Sequence, residues 1–129
     1  VAADLEWGIA ADLFAIYAQA RPKKTAAELE TRIDAVVKTL GEKPVSPDEL
    51  EKAKRQLRAQ WVKGLKTVSG KANKLGFFQV VFGDWQAIEG LEPAWDAVTA
   101  ADVQRVAAQY LVPAQRTVVI LEPLTGAKQ

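Results

Sequence analysis

The sequence predicts an α+β domain in which a small sheet packs against a layer of several helices. An N-terminal hairpin and a C-terminal strand supply the sheet, which is antiparallel or mixed. Three observations carry this prediction. Residues 1–7 alternate, with Val1, Ala3, Leu5 and Trp7 on one side and Ala2, Asp4 and Glu6 on the other. Three runs, Thr25-Ala-Ala-Glu28, Ser46-Pro-Asp-Glu49 and Thr99-Ala-Ala-Asp102, have the form of capping boxes, each ahead of apolar residues at helical spacing. Arg116 to Glu122, RTVVILE, is continuous and β-branched and closes at Pro123.

The elements follow in order. Leu13 to Ala20 reads as the second strand of the hairpin through its Phe, Ile and Tyr, with residues 8–12 as the turn. Pro22, in the basic loop Arg21 to Lys24, ends that strand. Thr25 and Glu28 open a helix whose stripe is Leu29, Ile33, Val36, Val37 and Leu40, and Gly41 is placed to stop it as a C-cap. A short connector, Glu42 to Val45, leads to a second helix in an αα-hairpin.

That second helix, Ser46 to Val68, is the packing centre of the chain. Ser46 caps it, Pro47 suits its first position, and Asp48, Glu49 and Glu51 oppose the positive end of its dipole. Leu50, Ala53, Leu57, Trp61, Leu65 and Val68 form its apolar stripe, and Gly64 marks a close approach or a bend. Ser69 to Asn73 reads as a joint. Lys74 to Phe82 is strongly apolar and ambiguous in period, with helix preferred because Leu75, Phe78, Val81 and Phe82 share a face.

Gly83 and Asp84 read as stop and restart. Trp85, Ile88 and Leu91 begin a short helix that Pro93 either limits or renews with Trp95 and Val98. The helix opened by Thr99 carries Val103, Val106, Ala107, Tyr110 and Leu111, and ends at Val112 because Pro113 follows. Leu124 to Gln129 reads as a frayed tail.

Composition bounds the function. The chain has 129 residues, 49% of them hydrophobic and 26% charged, with a net charge of +1, so it is a globular sequence with no charge bias toward nucleic acid or membranes. Histidine and cysteine are both absent. Zinc ligation of the usual kind and every Ser-His or Cys-His nucleophile are thereby excluded from these residues. Carboxylates alone would suit calcium or magnesium, but no loop of calcium-binding pattern is present. The chain starts at Val1 and contains no methionine, the expectation for a processed or excised piece. Three strands are also few for four or five helices. Residues 1–129 are therefore expected to form one incomplete domain.

Three constellations invite a functional reading. Asp48, Glu49 and Glu51 could form a carboxylate site, but first-turn acids complementing a helix dipole account for them. Lys52, Lys54, Arg55, Arg58, Lys63, Lys66, Lys71 and Lys74 run from 52 to 83 without an acid. They could bind nucleic acid, though a solvated face fits a near-neutral chain better. Trp7, Trp61, Trp85 and Trp95 could line a groove, with core packing as the default.

Taken together, LFAIYAQARPKKTAAELETRID, VSPDELEKAKRQLRAQWVKGL, FGDWQAIEG and VTAADVQRVAAQYLVPAQRTVVILEP, in this order, resemble the last part of the pitrilysin/insulinase family of zinc metallopeptidases. The resemblance runs from Leu13 to Pro123 and is closest to the bacterial and mitochondrial-processing type. It implies a parent with two homologous α+β halves, the first holding zinc on an H-x-x-E-H motif whose Glu activates the metal-bound water. The second half has no zinc and closes the chamber around the peptide substrate. Without histidine, this chain matches the C-terminal part of such a zinc-free half, so zinc belongs to the parent and no cofactor to these residues. The implied partners are the upstream half or a homologous subunit and a peptide substrate, with neither nucleic acid nor membrane. Self-association of the piece is expected too.

The family's substrate-holding Arg and Tyr would lie before Val1, and neither Arg21 nor Tyr17 sits in the matching place. No residue is assigned a catalytic, cofactor-binding or metal-binding role. The resemblance favours a bacterial periplasmic location, with the cytoplasm as the alternative. The other functional readings are an inactive homologue that only binds, and a basic helical module for nucleic acid.

Overall fold

The computed structural model describes residues 1–6 and 13–122. Trp7, the expected turn at 8–12 and the tail from Leu124 lie outside the described residues. The fold is α+β, with a two-stranded antiparallel hairpin and five α-helices among the described residues. Strands β1 (Ala2–Glu6) and β2 (Leu13–Tyr17) pair so that Asp4 faces Ala15 and Leu5 faces Phe14. The helices are α1 (Ala26–Glu42), α2 (Pro47–Gly64), α3 (Val68–Phe82), α4 (Leu91–Ala97) and α5 (Ala100–Tyr110). A 3-10 segment, Trp85–Gly90, leads into α4, and a second, Pro113–Gln115, follows α5.

Between hairpin and helices the chain turns at Arg21–Lys24, where the Lys24 amide donates to the Arg21 carbonyl at 3.0 Å. Pro22 supplies the fixed φ of the first central position, and Lys23 takes the second at φ 70°. The three capping boxes are all closed. Thr25, Ser46 and Thr99 each accept from the amide three residues on, and Glu28, Glu49 and Asp102 accept in return from the cap amide.

These caps also hold their acids ionised. The Thr25 amide, and then Lys24, keep Glu28 below the usual carboxylate range. The Ser46 hydroxyl and amide do so for Glu49, and the Thr99 hydroxyl and amide for Asp102, with help from Arg105. A carboxyl whose pKa is lowered by folding stabilises the fold above its unfolded value, about 4 to 4.5, and loses that contribution as pH falls through its folded value. Helicity followed by circular dichroism is therefore expected to be level from pH 7 to about 5 and to decline in more acidic solution. Glu49→Gln, which keeps an acceptor but removes the titration, should flatten part of that decline. An unchanged acid profile in this variant would remove the cap from the explanation.

The helices pack in two groups. α1 lies on α5, and the covered apolar residues are Leu29, Ile33, Val37 and Leu40 on α1 and Val103 and Ala107 on α5. Gly41 does not cap α1. It lies inside the helix, which ends at Glu42 with Lys43 as its C-cap, and a β-carbon there would stand 3.4 Å from the Ala108 Cα of α5. Its lack of a side chain serves the close approach of the two helices. Gln104 of α5 reinforces the contact by donating to the Gly41 carbonyl at 3.4 Å.

The second group joins α2, α3 and α4 around Trp61. Its indole meets Trp95 edge-on at 5.8 Å and Phe78 at 6.3 Å, while Phe78 stacks on Phe82 at 5.2 Å. The expected helix from Ser46 to Val68 is broken in two. α2 stops at Gly64, and the joint is Leu65–Thr67 rather than Ser69–Asn73, which lies within α3. Thr67 caps α3 by accepting from the Gly70 amide at 3.0 Å. The apolar segment 74–82 is helical, as its shared face predicts, and Gly83 closes it in the left-handed conformation at φ 75°. Gln79 ties this end down, donating to the Gly83 carbonyl at 3.0 Å and accepting from the Trp85 amide at 3.3 Å.

The expected C-terminal strand forms no ladder among the described residues, and the sheet has two strands. Strand propensity reflects the fit of β-branched residues to a pleated, half-buried surface, so it needs a partner to act on. Here Arg116 is held by Glu30, at 2.8 Å, and by Asp34, one turn apart on α1, and the described residues after it join no ladder with the hairpin. Val119 reaches the hairpin's end, where it helps to line a groove with Val1, Ala2, Ile16 and Tyr17.

Candidate functional site

The acids at the start of α2 are structural. Glu49 closes the capping box, its carboxylate 2.8 Å from the Ser46 hydroxyl, and Glu51 lies 4.0 Å from Lys54. Among the described residues no group of three or more His, Cys, Asp or Glu side chains is arranged to hold a metal ion.

The basic run divides into two kinds. Lys54 and Arg58 face the end of α4, where Lys54 donates to the Asp96 carbonyl at 2.9 Å and Arg58 pairs with the Asp96 carboxylate. Two cations one turn apart thus complement the negative end of a short helix. Lys74 lies 3.7 Å over the Trp61 ring, a cation–π contact. Lys52, Arg55, Lys63, Lys66 and Lys71 are exposed.

The covered stripe of α2 is therefore Leu50, Lys54, Arg58 and Trp61, whereas Leu57, expected to be buried, is 41% exposed. The spacing of Lys54 and Arg58 ahead of Trp61 was the available signal. Of the tryptophans, Trp61 and Trp95 pack on each other, Trp85 is exposed, and Trp7 lies outside the described residues.

What stands out is uncovered apolar surface. A folded monomer of 14.1 kDa exposes about 6,700 Å². This chain exposes 10700 Å², and among the described residues Phe78 and Ala107 alone are buried. On the hairpin Leu5, Leu13, Phe14, Ile16 and Tyr17 are all exposed, as are Val118 to Leu121 beyond α5. The groove between these two parts measures about 440 Å³ and is lined by Val1, Ala2, Ile16, Tyr17, Ala18, Gln19 and Val119.

Such a surface can receive polypeptide through its exposed apolar side chains. No helix among the described residues is long and apolar enough to cross a membrane. In comparisons with known proteins, no family model, no curated protein and no solved structure matches the chain.

Proposed function

We propose that this chain is the C-terminal, non-catalytic part of a zinc metallopeptidase of the pitrilysin/insulinase type, where it forms part of the wall enclosing the peptide substrate. The ordered runs between Leu13 and Pro123 support the family, and one structural observation supports the role. The chain leaves about 4,000 Å² more surface uncovered than a self-sufficient domain of its mass. Apolar residues of the hairpin and of 118–121 make up part of that excess, as in one layer of a wall whose other layer is separate polypeptide.

In this reading the wall binds and confines, and zinc with its ligands belongs to the other half. Lacking His and Cys, these residues do not fit a zinc site of the family's kind, so no hydrolytic step is assigned to them.

The test compares the purified chain with the parent polypeptide that contains it. The parent is expected to carry stoichiometric zinc and to cleave unstructured peptides in a chelator-sensitive way, while the chain alone does neither. Zinc binding or cleavage by the chain alone would overturn the proposal. A parent that holds no zinc and cleaves nothing would instead establish an inactive binding homologue.

A further inference from the structure

We infer that Arg55 and Lys63 of α2, Lys66 of the joint and Lys71 of α3 form a contact surface for the phosphate backbone of duplex nucleic acid, independent of base sequence. This does not rest on the peptidase reading. Residues 52–83 hold eight of the chain's 17 Lys and Arg and none of its 16 Asp and Glu, so the rest of the chain is net acidic. The net charge of +1 conceals this separation, and it is the local field that attracts a polyanion. The structure sorts the eight. Lys54 and Arg58 are engaged by Asp96, Lys74 by the Trp61 ring, and Lys52 stands beside the first-turn acids, where it favours the ionised form of Glu49. Arg55, Lys63, Lys66 and Lys71 are exposed, and none of them makes an ion pair among the described residues.

These four cations follow the C-terminal half of α2 and gather around the joint. Arg55, Ala59 and Lys63 recur at four-residue spacing, so they share one face of α2, on the side away from Trp61. Gln56 and Ala59, exposed beside them, leave that face small and polar. Lys66 is held at the last turn of α2 by the bond from its amide to the Lys63 carbonyl, 3.3 Å. Gly70 meets the Gly64 backbone so closely that a β-carbon would overlap it, which brings the first turn of α3, and Lys71 with it, to the same end of α2.

The chemistry of this face selects the partner. Interfaces with other proteins are poor in Lys and anchored by aromatic side chains. The aromatic residue between these cations in sequence, Trp61, is turned the other way, against Phe78 and Trp95. A helix lying on a membrane must bury an apolar side in lipid, but the Trp61 side of α2 is already packed on α3 and α4. Single strands are held by stacking bases on exposed rings, and this face presents none. Duplex phosphates ask only for charge and reach, which exposed Lys and Arg side chains supply.

The experiment is fluorescence anisotropy of two labelled short DNA duplexes of unrelated sequence, titrated with the chain at several salt concentrations. Both duplexes are expected to bind equally at low salt. The logarithm of the association constant should fall against that of salt with a slope of about −3 to −4, the value for four phosphates. Lys63→Glu/Lys66→Glu should weaken binding by about 30-fold or more and flatten the slope by about 2. Lys63→Arg/Lys66→Arg, which keeps the charges, should bind as the wild type does. Lys38→Glu/Lys43→Glu, the same change of charge at the far end of α1, should lose less than about 3-fold. No binding at low salt, a slope near zero, or an equal loss in the α1 variant would each overturn the inference. So would tighter binding to anionic phospholipid vesicles or to polyglutamate, and a strong preference for one duplex would overturn its independence of sequence. The zinc and cleavage tests of the peptidase reading are unaffected by any of these results.

Discussion

Gly70→Ala is expected to destabilise the protein by about 3 kcal/mol, while Gly76→Ala, six residues along the same helix, is expected to stabilise it by about 1 kcal/mol. A β-carbon at Gly70 would overlap the carbonyl oxygen of Gly64 and stand 3.0 Å from the Thr67 hydroxyl. The obstacle is backbone, so no rotamer change relieves it. The end of α2 would have to move, and with it the tight bonds from the Leu65 amide to Val62 and from the Lys66 amide to Lys63, at 3.1 and 3.3 Å. At Gly76 nothing lies within 4 Å of the added carbon, and only the helix preference for alanine acts. Urea unfolding of both variants, followed by circular dichroism, should show midpoints displaced in opposite directions. Displacement in the same direction would mean that α2 and α3 do not meet as closely as described.

Phe78→Ala should cost about 3–5 kcal/mol, a large share of the about 5–15 kcal/mol that holds an ordinary domain folded. Phe78 is 4% exposed and contacts three aromatic rings, Trp61, Phe77 and Phe82, so truncation leaves a cavity and unpartnered ring faces. The loss should be visible as a lower urea midpoint, followed by the red shift of tryptophan emission on unfolding. Val80→Ala, on the exposed face of the same helix, is the control and should fall within about 0.5 kcal/mol of the wild type. If the two valued residues proved equally costly, the aromatic cluster would not be the centre of the second helical group.

These two positions show what was legible in the sequence. Phe78 was readable in part: helical period places it with Val81, which is also covered, but the same reading included Leu75 and Phe82, which are 39% and 51% exposed. The capping boxes were readable in full, since each is complete within four residues. Gly70 was not readable. Its obstacle is Gly64 across a joint: the sequence marks Gly64 as a close approach or a bend but places the joint at Ser69–Asn73, because the Thr67 cap has no acid three residues on to announce α3.

Gly41 was misread in the same way. A glycine after a helical stripe suggests a C-cap, but Ala108, far away in sequence, is what requires it. Lys54 and Arg58 looked like part of a solvated face until Asp96 gave them a partner. The C-terminal segment has the composition of a strand, yet composition cannot supply the neighbour that a ladder needs. For the candidate site, the sequence showed what chemistry was missing.

The pairing of α1 with α5 has a consequence for the order of folding events. The rings of Trp61, Phe78 and Trp95 can meet through short loops, because their helices follow one another along the chain. Gly41 and Ala108 can meet only by closing a loop that contains all of α2, α3 and α4. The entropy of closure grows slowly with loop length, but it must be met before any contact between these helices repays it. An already folded middle shortens the effective loop. The first helix of the chain is thus the one whose tertiary contacts depend most on everything that follows it.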